Sequence, residues 1–121
     1  NRFTFAAFNV LMPYPGTPLH DRLAAEGRLL YDGAWWLHPD YRFNHAAFRP
    51  ARMTPAELTE ATWACRRRWN SPASILRRAF DPRTNMRSPF RFALYWAYNP
   101  LYRREAFKRQ GLRLGLRGGA G

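Results

Sequence analysis

The sequence predicts a mainly α-helical chain with a short β portion, and three observations indicate this class. The run FTFAAFNVLM at residues 3–12 is apolar at odd and even positions alike, which is typical of a strand buried on both faces. No second run of comparable length and apolarity follows it. Four Ser-Pro or Thr-Pro pairs mark helix starts instead, because the hydroxyl caps the helix and proline suits its first position. These pairs begin at Thr17, Thr54, Ser71 and Ser88.

Residues 1–28 are predicted to form a strand–turn–helix unit. The strand must stop in the turn Met12-Pro13-Tyr14-Pro15-Gly16, since proline cannot donate to a β-ladder. Thr17 then caps a helix that runs to about Glu26 and ends at Gly27. A buried strand needs neighbours, and this chain offers none of similar character.

Residues 29–52 are predicted to be an irregular, aromatic linker. Five large rings lie close together between residues 35 and 48, so we expect the stretch to lie against a surface rather than to stand free. His38 and His45 could be metal ligands or acid–base groups, but we favour structural, hydrogen-bonded histidines and predict no metal site. The rings are those of Trp35, Trp36, Tyr41, Phe43 and Phe48.

Residues 53–110 are predicted to be a helical extension of three to four helices. Its first helix opens with a capping box formed by Thr54 and Glu57. We expect Arg66-Arg67-Arg68 to be a solvated face near the end of that helix, the alternative being a patch for RNA or another anion. The residues at three- and four-residue steps predict its buried stripe. They are Leu58, Ala61, Thr62, Cys65 and Trp69.

A second helix is predicted after Ser71, with Ile75, Leu76 and Phe80 as its apolar residues and Arg77-Arg78 exposed. The aromatic helix after Ser88 should be kinked or broken by Pro100. We favour docking of this helix onto a partner domain over contact with a membrane interface. The glycine-rich residues 111–121 are predicted to be a flexible tail.

Composition restricts the classes of function. The net charge is +12, carried by nineteen arginines and one lysine, which could serve nucleic acid, anionic lipid or an acidic partner. We favour a less specific interpretation, arginine-rich coding in a GC-rich genome with the acidic balance in a missing part of the protein, because the arginines are scattered over every segment. The chain also begins without an initiator Met, as if it were cut from something longer. One cysteine permits neither an internal disulfide nor a metal cluster. No apolar run approaches the roughly 20 residues needed to span a bilayer, so we expect a cytoplasmic location.

Three stretches together resemble one protein family. They read NVLMPYPGTPLHDRLAAEGRLL, WWLHPDYRFNHAAFRPARMTPAEL and RRRWNSPASILRRAFDPRTN, within a similarity that extends over residues 5–115. This succession is similar to the C-terminal portion of radical S-adenosylmethionine proteins that carry an N-terminal cobalamin-binding domain. The resemblance implies that residues 1–28 are the last strand–helix unit of a (β/α) barrel and that the remainder is a C-terminal helical extension.

The resemblance also implies the chemistry of a parent enzyme. Such enzymes bind S-adenosylmethionine at a [4Fe–4S] cluster held by three cysteines, and some use cobalamin. The lone Cys65 cannot hold such a cluster, so this chain alone should not be catalytic. We expect the chain to complete the barrel and to cover its substrate side, with the upstream barrel and the cobalamin-binding domain as its partners.

Four residues are candidates for contact with the cofactor. Barrel sites lie at the C-terminal ends of the strands, so Asn9 and Leu11 would meet the adenosine or methionine part of S-adenosylmethionine. Tyr14 and the Gly16 amide are weaker candidates. The alternative is that Asn9 bonds a neighbouring loop and that Leu11 belongs to the core.

The composition is also compatible with a different class of function. The chain could be a basic helical module that binds RNA or an anionic membrane surface through its arginines and its aromatic helix. Stable folding in isolation with salt-dependent binding to a polyanion would favour this second class. Within the first interpretation, membrane contact remains open and nucleic acid is not an expected partner.

Overall fold

The computed structural model describes residues 3–114, and this part of the chain is mainly helical, as predicted. Its helices are α1 (Pro18–Ala25), α2 (Pro55–Trp69), α3 (Pro72–Ala79) and α4 (Pro89–Arg109). A short 3₁₀ turn, Tyr31–Gly33, lies between α1 and α2. Within these residues, no helix has the length and apolarity needed to cross a bilayer.

The predicted helix starts are confirmed by local hydrogen bonds. The Thr17 hydroxyl accepts from the His20 amide at 3.3 Å, and the Ser71 hydroxyl accepts from the Ser74 amide at 3.2 Å. At α2 the capping box closes in both directions. The Thr54 amide donates to Glu57 Oε2 at 2.6 Å, and the Glu57 amide donates to Thr54 Oγ1 at 3.2 Å. These contacts span only three residues, so the sequence alone is sufficient to place them.

The expected strand at residues 3–12 has no ladder partner. The part of the chain that is described contains no β-sheet, and its β-pairing consists of two isolated bridges, Leu29 with Phe48 and Arg42 with Arg113. A strand requires a neighbouring strand to satisfy its backbone groups. Residues 3–12 therefore lack regular structure here, although their side chains keep an alternating pattern of exposure.

Two compact units make up the chain. The first contains residues 3–8 and Trp63–Lys108, and its core packs Ile75, Ala79 and Tyr95 together with Phe92. The Tyr95 hydroxyl donates to the Ile75 carbonyl at 2.6 Å, which satisfies a phenol that is fully buried.

The second unit contains Asn9–Thr62 and residues 109–114. Its core is aromatic and lies in the segment predicted to be a linker. Trp35 and Tyr41 pack there around Ala47, with Met12 and Tyr31 against them. This arrangement buries the aromatic area that the sequence could not leave in solvent.

Some charged and apolar side chains of α2 and α3 lie on the opposite face from the one predicted, although Ile75 is buried and Arg77 is exposed as expected. Arg66 and Arg78 are each 4% exposed, whereas Cys65 is exposed. Leu76 and Phe80 are exposed as well. The predicted stripe on α2 and the exposed Arg77-Arg78 pair are therefore wrong in part. The reason is that the backbone of residues 3–8 supplies carbonyl oxygens to these two arginines, a partner that helical periodicity cannot indicate.

Helix α4 continues through Pro100, so the predicted break does not occur. Its buried residues are Tyr95, Asn99 and Ala106, while a stripe of apolar side chains on the same helix is exposed. The stripe consists of Phe90, Leu94, Tyr98 and Leu101.

Residues 111–114 differ from the expected flexible tail. The Gly111 amide donates to the Phe43 carbonyl at 3.2 Å, and the Phe43 amide donates to the Leu112 carbonyl at 2.7 Å. The Leu114 amide donates to the Tyr41 carbonyl at 3.3 Å. These bonds attach the segment to residues 41–43 within the second unit. Residues 115–121 of the predicted tail lie outside the described residues.

Candidate functional site

A cavity of about 630 Å³ opens in the second unit beside the segment that precedes α1. Its volume falls within the range of small-molecule sites in proteins. One wall is formed by residues 9–14, which the sequence predicted for cofactor contact. The other walls come from the aromatic residues 29–52 and from Leu114. The lining residues are Asn9, Val10, Leu11, Met12, Tyr14, Trp35, Tyr41, Phe43, Asn44 and Leu114.

Asn44 holds the first wall in place. The amide of Val10 donates to Asn44 Oδ1 at 3.0 Å, and Asn44 Nδ2 donates to Gln110 Oε1 at 3.3 Å. The φ angle of Asn44 is +63°, a left-handed conformation that asparagine tolerates better than most residues. Asn44 is only 5% exposed, so its side chain positions the Val10 segment rather than meeting solvent.

Aromatic side chains form the opposite wall. Trp35 Nε1 donates to the Pro13 carbonyl at 3.3 Å, and the rings of Trp35 and Tyr14 meet edge to face at 5.6 Å. The Trp35 and Tyr41 ring centroids are 4.9 Å apart. The Tyr41 hydroxyl lies 3.3 Å from the His45 carbonyl, to which it donates. Both polar ring atoms are thus satisfied by the protein, which leaves the ring surfaces to shape the cavity.

The electrostatic character of the cavity is neutral. Burial, together with the neighbouring phenols of Tyr31 and Tyr14, raises the pKa of Tyr41 to about 12, so this hydroxyl stays protonated at physiological pH. The described lining contains no carboxylate, histidine or cysteine. The cavity is therefore suited to holding a flat, largely apolar group and offers no acid–base pair for chemistry of its own.

Three of the four residues predicted for cofactor contact meet in this cavity. Asn9, Leu11 and Tyr14 line it, and Leu11 is 63% exposed rather than part of a core. Gly16 does not line it. Its φ of +77° serves the turn instead, where the Thr17 amide and hydroxyl both donate to the Tyr14 carbonyl.

The histidines lie outside the cavity lining. Burial and the nearby Arg42 lower the pKa of His45, which favours its neutral form. Among residues 3–114, no group of three or more His, Cys, Asp or Glu side chains could hold a metal ion. The lone Cys65 cannot supply the three thiolates that an iron–sulfur cluster requires.

Sequence reasoning missed Asn44, Trp35 and Tyr41 as parts of the site. The segment RFNHAA gave one signal, an asparagine between an aromatic and a histidine, which is compatible with a left-handed turn. Nothing in the sequence around Trp35 or Tyr41 indicates which segment each ring packs against.

The comparisons with known proteins give no match for this chain among protein-family models, curated proteins or solved structures.

Proposed function

We propose that this chain is the C-terminal part of a radical S-adenosylmethionine enzyme of the cytoplasm, in which it completes the barrel and covers the substrate side. The upstream barrel and a cobalamin-binding domain of the same polypeptide would be its partners. The sequence resemblance suggests the family. The observation that carries the proposal is the state of residues 3–12.

Residues 3–12 expose one of their two faces. Phe3, Phe5 and Leu11 are 58%, 46% and 63% exposed, and Ala7 and Asn9 on the same parity are exposed too. On the other parity, Val10 is 5% exposed and Ala6, Phe8 and Met12 are partly buried. A period of two is the signature of extended backbone. One face is thus largely covered by this chain. On the other face Phe5 contacts the Tyr102 ring, with centroids 4.4 Å apart, but most of the surface of Phe3 and Leu11 is open to a further partner.

The backbone of the same segment also supports pairing with another strand. Within residues 3–114, the amide and carbonyl groups of Ala6, Ala7 and Leu11 make no hydrogen bond. An unpaired extended segment with an apolar face is a template for a neighbouring strand. In the proposed enzyme that neighbour is the preceding strand of the barrel.

The cavity then lies at the end of that last strand, where barrel enzymes bind their ligands. Asn9 supplies a polar group, and Leu11 and Tyr14 supply apolar surface, a combination suited to the adenosine or methionine part of S-adenosylmethionine. The cluster that cleaves the cofactor must be held elsewhere, because this chain has one cysteine. The role of the chain is to bind and orient, and to exclude water from the site.

The test uses the polypeptide encoded by the complete gene, purified without oxygen. We expect it to form 5′-deoxyadenosine from S-adenosylmethionine, and Leu11→Lys to weaken cofactor binding by placing a charge in an apolar wall. Leu76→Lys is the matched control, since Leu76 is 51% exposed on α3 and does not line the cavity. Asn9→Ala should also weaken binding. Unchanged affinity and cleavage in both cavity variants would refute the proposed site, and the absence of an upstream cysteine triad would refute the family.

A second candidate function is binding to an anionic membrane surface. The α4 stripe favours it, since Phe90, Tyr98 and Leu101 are 75%, 58% and 62% exposed on one helix that also carries exposed Arg91 and Arg104. Apolar and cationic side chains together are the signature of an interfacial helix. Sedimentation with phosphatidylserine vesicles, compared with phosphatidylcholine vesicles, tests it. Replacement of Phe90 and Leu101 by Ser should abolish the pelleting, whereas pelleting that survives would rule out the stripe as the contact.

A further inference from the structure

A second cavity, of about 650 Å³, lies within the first unit, where α2 ends and α3 begins. It is formed by the last turn of α2, the first turn of α3 and one face of α3. Its lining is rich in arginine and serine and contains no acidic residue. The residues are Phe8, Cys65, Arg68, Trp69, Ser71, Ala73, Ser74, Arg77 and Arg78.

Three guanidinium groups line this cavity, and no carboxylate among the described residues neutralises their positive charge. Within the described chain, Arg68, Arg77 and Arg78 form no ion pair with any carboxylate. Side chains of like charge that share one cavity repel each other, and the repulsion is strongest where solvent is excluded. Such an arrangement is stabilised by an anion.

Of the three arginines, Arg78 is the one whose charge is buried. It is 4% exposed, and its guanidinium stacks on the ring of Trp69 at 4.0 Å from the centroid. Its terminal nitrogens meet only neutral oxygens, including the Trp69 carbonyl at 3.0 Å and Asn99 Oδ1 at 3.5 Å. Its Nε is buried without a hydrogen-bond partner in the described residues. Burial, with a contribution from Arg77, lowers the pKa of Arg78.

The first turn of α3 adds neutral donors to the same cavity. Helix N-termini carry partial positive charge and attract anions through free N–H groups. In α3, Pro72 has no N–H and the Ser74 amide already donates to Ser71 Oγ, so Ala73 supplies the amide that is open to a ligand. The Ser71 hydroxyl is engaged, because it accepts from the Ser74 amide and donates to the Arg68 carbonyl at 3.0 Å. The Ser74 hydroxyl makes no hydrogen bond within residues 3–114 and is available to a ligand.

We propose that this cavity binds a phosphate group, carried by a soluble phosphate monoester or by a lipid headgroup. Arginine forks match the oxygens of phosphate in geometry and charge, and serine hydroxyls complete its hydrogen bonds. The volume exceeds that of phosphate alone, so there is room for the group that bears it. Arg68 and Arg77 contact the ligand, while Arg78 and Trp69 form the floor. The inference does not depend on the proposed function, since it concerns the other unit.

The experiment uses the full 121-residue chain at constant ionic strength. Isothermal titration with glycerol 3-phosphate and with inorganic phosphate measures binding of the soluble forms. Flotation with phosphatidylcholine vesicles, with and without phosphatidic acid, measures binding of the headgroup. We expect saturable binding in at least one arm. The combination Arg68→Gln with Arg77→Gln should weaken it about ten-fold or more.

The matched control is Arg87→Gln with Arg91→Gln, which removes the same charge from exposed positions of the same unit outside the cavity. It should bind as the wild type does. Equal losses in the two double variants would mean that net charge alone is responsible, and would overturn the site. Absence of binding in every arm would overturn it too.

Amide chemical shifts of the wild-type chain provide a readout that does not depend on the variants folding. Glycerol 3-phosphate, or a short-chain phosphatidic acid, should shift the amide signals of Ser71, Ala73 and Ser74 and the side-chain signals of Arg68 and Arg77. Shifts that cluster elsewhere would overturn the proposal. The arm that saturates, soluble ester or vesicle, identifies the source of the phosphate.

Discussion

At the scale of single residues, the best-defined features of this protein are hydrogen bonds that one side chain makes to the backbone. Some join neighbours in sequence, as in the box between Thr54 and Glu57. Others join distant segments, as in the bond from Arg66 Nε to the Phe8 carbonyl at 2.6 Å. The two kinds differ in how they respond to pH and substitution, and each gives a prediction.

Acid should weaken the start of α2. Hydrogen bonds from the Thr54 amide and hydroxyl hold the pKa of Glu57 below its ordinary value of 4.5. Its carboxylate therefore contributes stability that is present above that ordinary value and is lost as pH falls through the lowered one. Urea unfolding, followed from about pH 6 to about pH 2.5, should show this loss.

Glu57→Gln should remove this part of the pH dependence, since an amide does not titrate in this range. Glu60→Gln is the control, because it removes the same charge from the same helix outside the capping box. Identical pH profiles for the wild type and Glu57→Gln would contradict the prediction.

Arg66 should be required for stability, although the sequence pattern of α2 predicts that its side chain is solvated. Arg66→Leu leaves the Phe8 carbonyl without its charged donor, which should cost about 2–3 kcal/mol of the free energy of unfolding. Arg91→Leu, at an exposed position on α4, should change it by less than about 0.5 kcal/mol. Urea unfolding of both variants measures the difference. Equal midpoints would show that the bond to Phe8 contributes nothing.

At the scale of elements, residues 3–12 have only some of their side chains packed and only some of their backbone groups hydrogen-bonded. The side chains of Ala6, Phe8, Val10 and Met12 pack within the chain, and parts of the backbone bond to side chains of other segments. Phe3 and Thr4 carbonyls accept from Arg78 Nη1 at 3.4 Å each, and the Val10 amide donates to Asn44. Side chains here take the place of the ladder that a neighbouring strand would provide. The segment is therefore held in place without being a strand.

Hydrogen exchange should report this unevenness directly. The Val10 amide should be protected by Asn44 Oδ1, while the amides of Ala6, Ala7 and Leu11 exchange rapidly in this chain. Asn44→Gly keeps the left-handed backbone and should abolish the protection of Val10. Asn44→Asp, which retains an acceptor, should preserve it. Protection of Val10 that persists in Asn44→Gly would assign the effect to burial instead.

At the scale of the whole molecule, positive charge is the dominant feature. A net charge of +12 on 121 residues repels itself. Partly exposed ion pairs, such as Arg28 with Glu26 at 2.6 Å, offset little of that repulsion. Two arginines are buried in one unit: Arg66 donates to the Phe8 carbonyl, and Arg78 meets neutral oxygens such as the Trp69 carbonyl. The balance of these charges is to be found in a ligand, a partner or the solvent ions.

Salt should therefore stabilise this protein. Raising NaCl from about 0.05 M to about 0.5 M shortens the Debye length several-fold and screens the repulsion, so the melting temperature should rise. KCl should act as NaCl does, because screening depends on ionic strength rather than on a bound ion. A melting temperature that falls with salt would show that attractive pairs outweigh the repulsion.

Local chemistry determined the features that the sequence predicted correctly. The helix starts at Thr17, Thr54 and Ser71 depend on contacts between residues three apart, and the mainly helical class follows from them. Asn9, Leu11 and Tyr14 line one cavity because they are close in the chain, and their contact with a cofactor stays a prediction. The family and the parent enzyme stay predictions of the resemblance.

Only the tertiary structure decided which faces are buried and what completes the sites. Arg66 reaches a carbonyl 58 residues away, and Asn44 reaches an amide 34 residues away. A helical period shows that a residue shares a face with others, but it carries no information on which distant backbone groups need a donor. Whether those groups are exposed or hydrogen-bonded depends on how separate segments pack. The buried arginines, the bond between Asn44 and the Val10 amide, and the arginine-lined cavity therefore form only when the chain is folded.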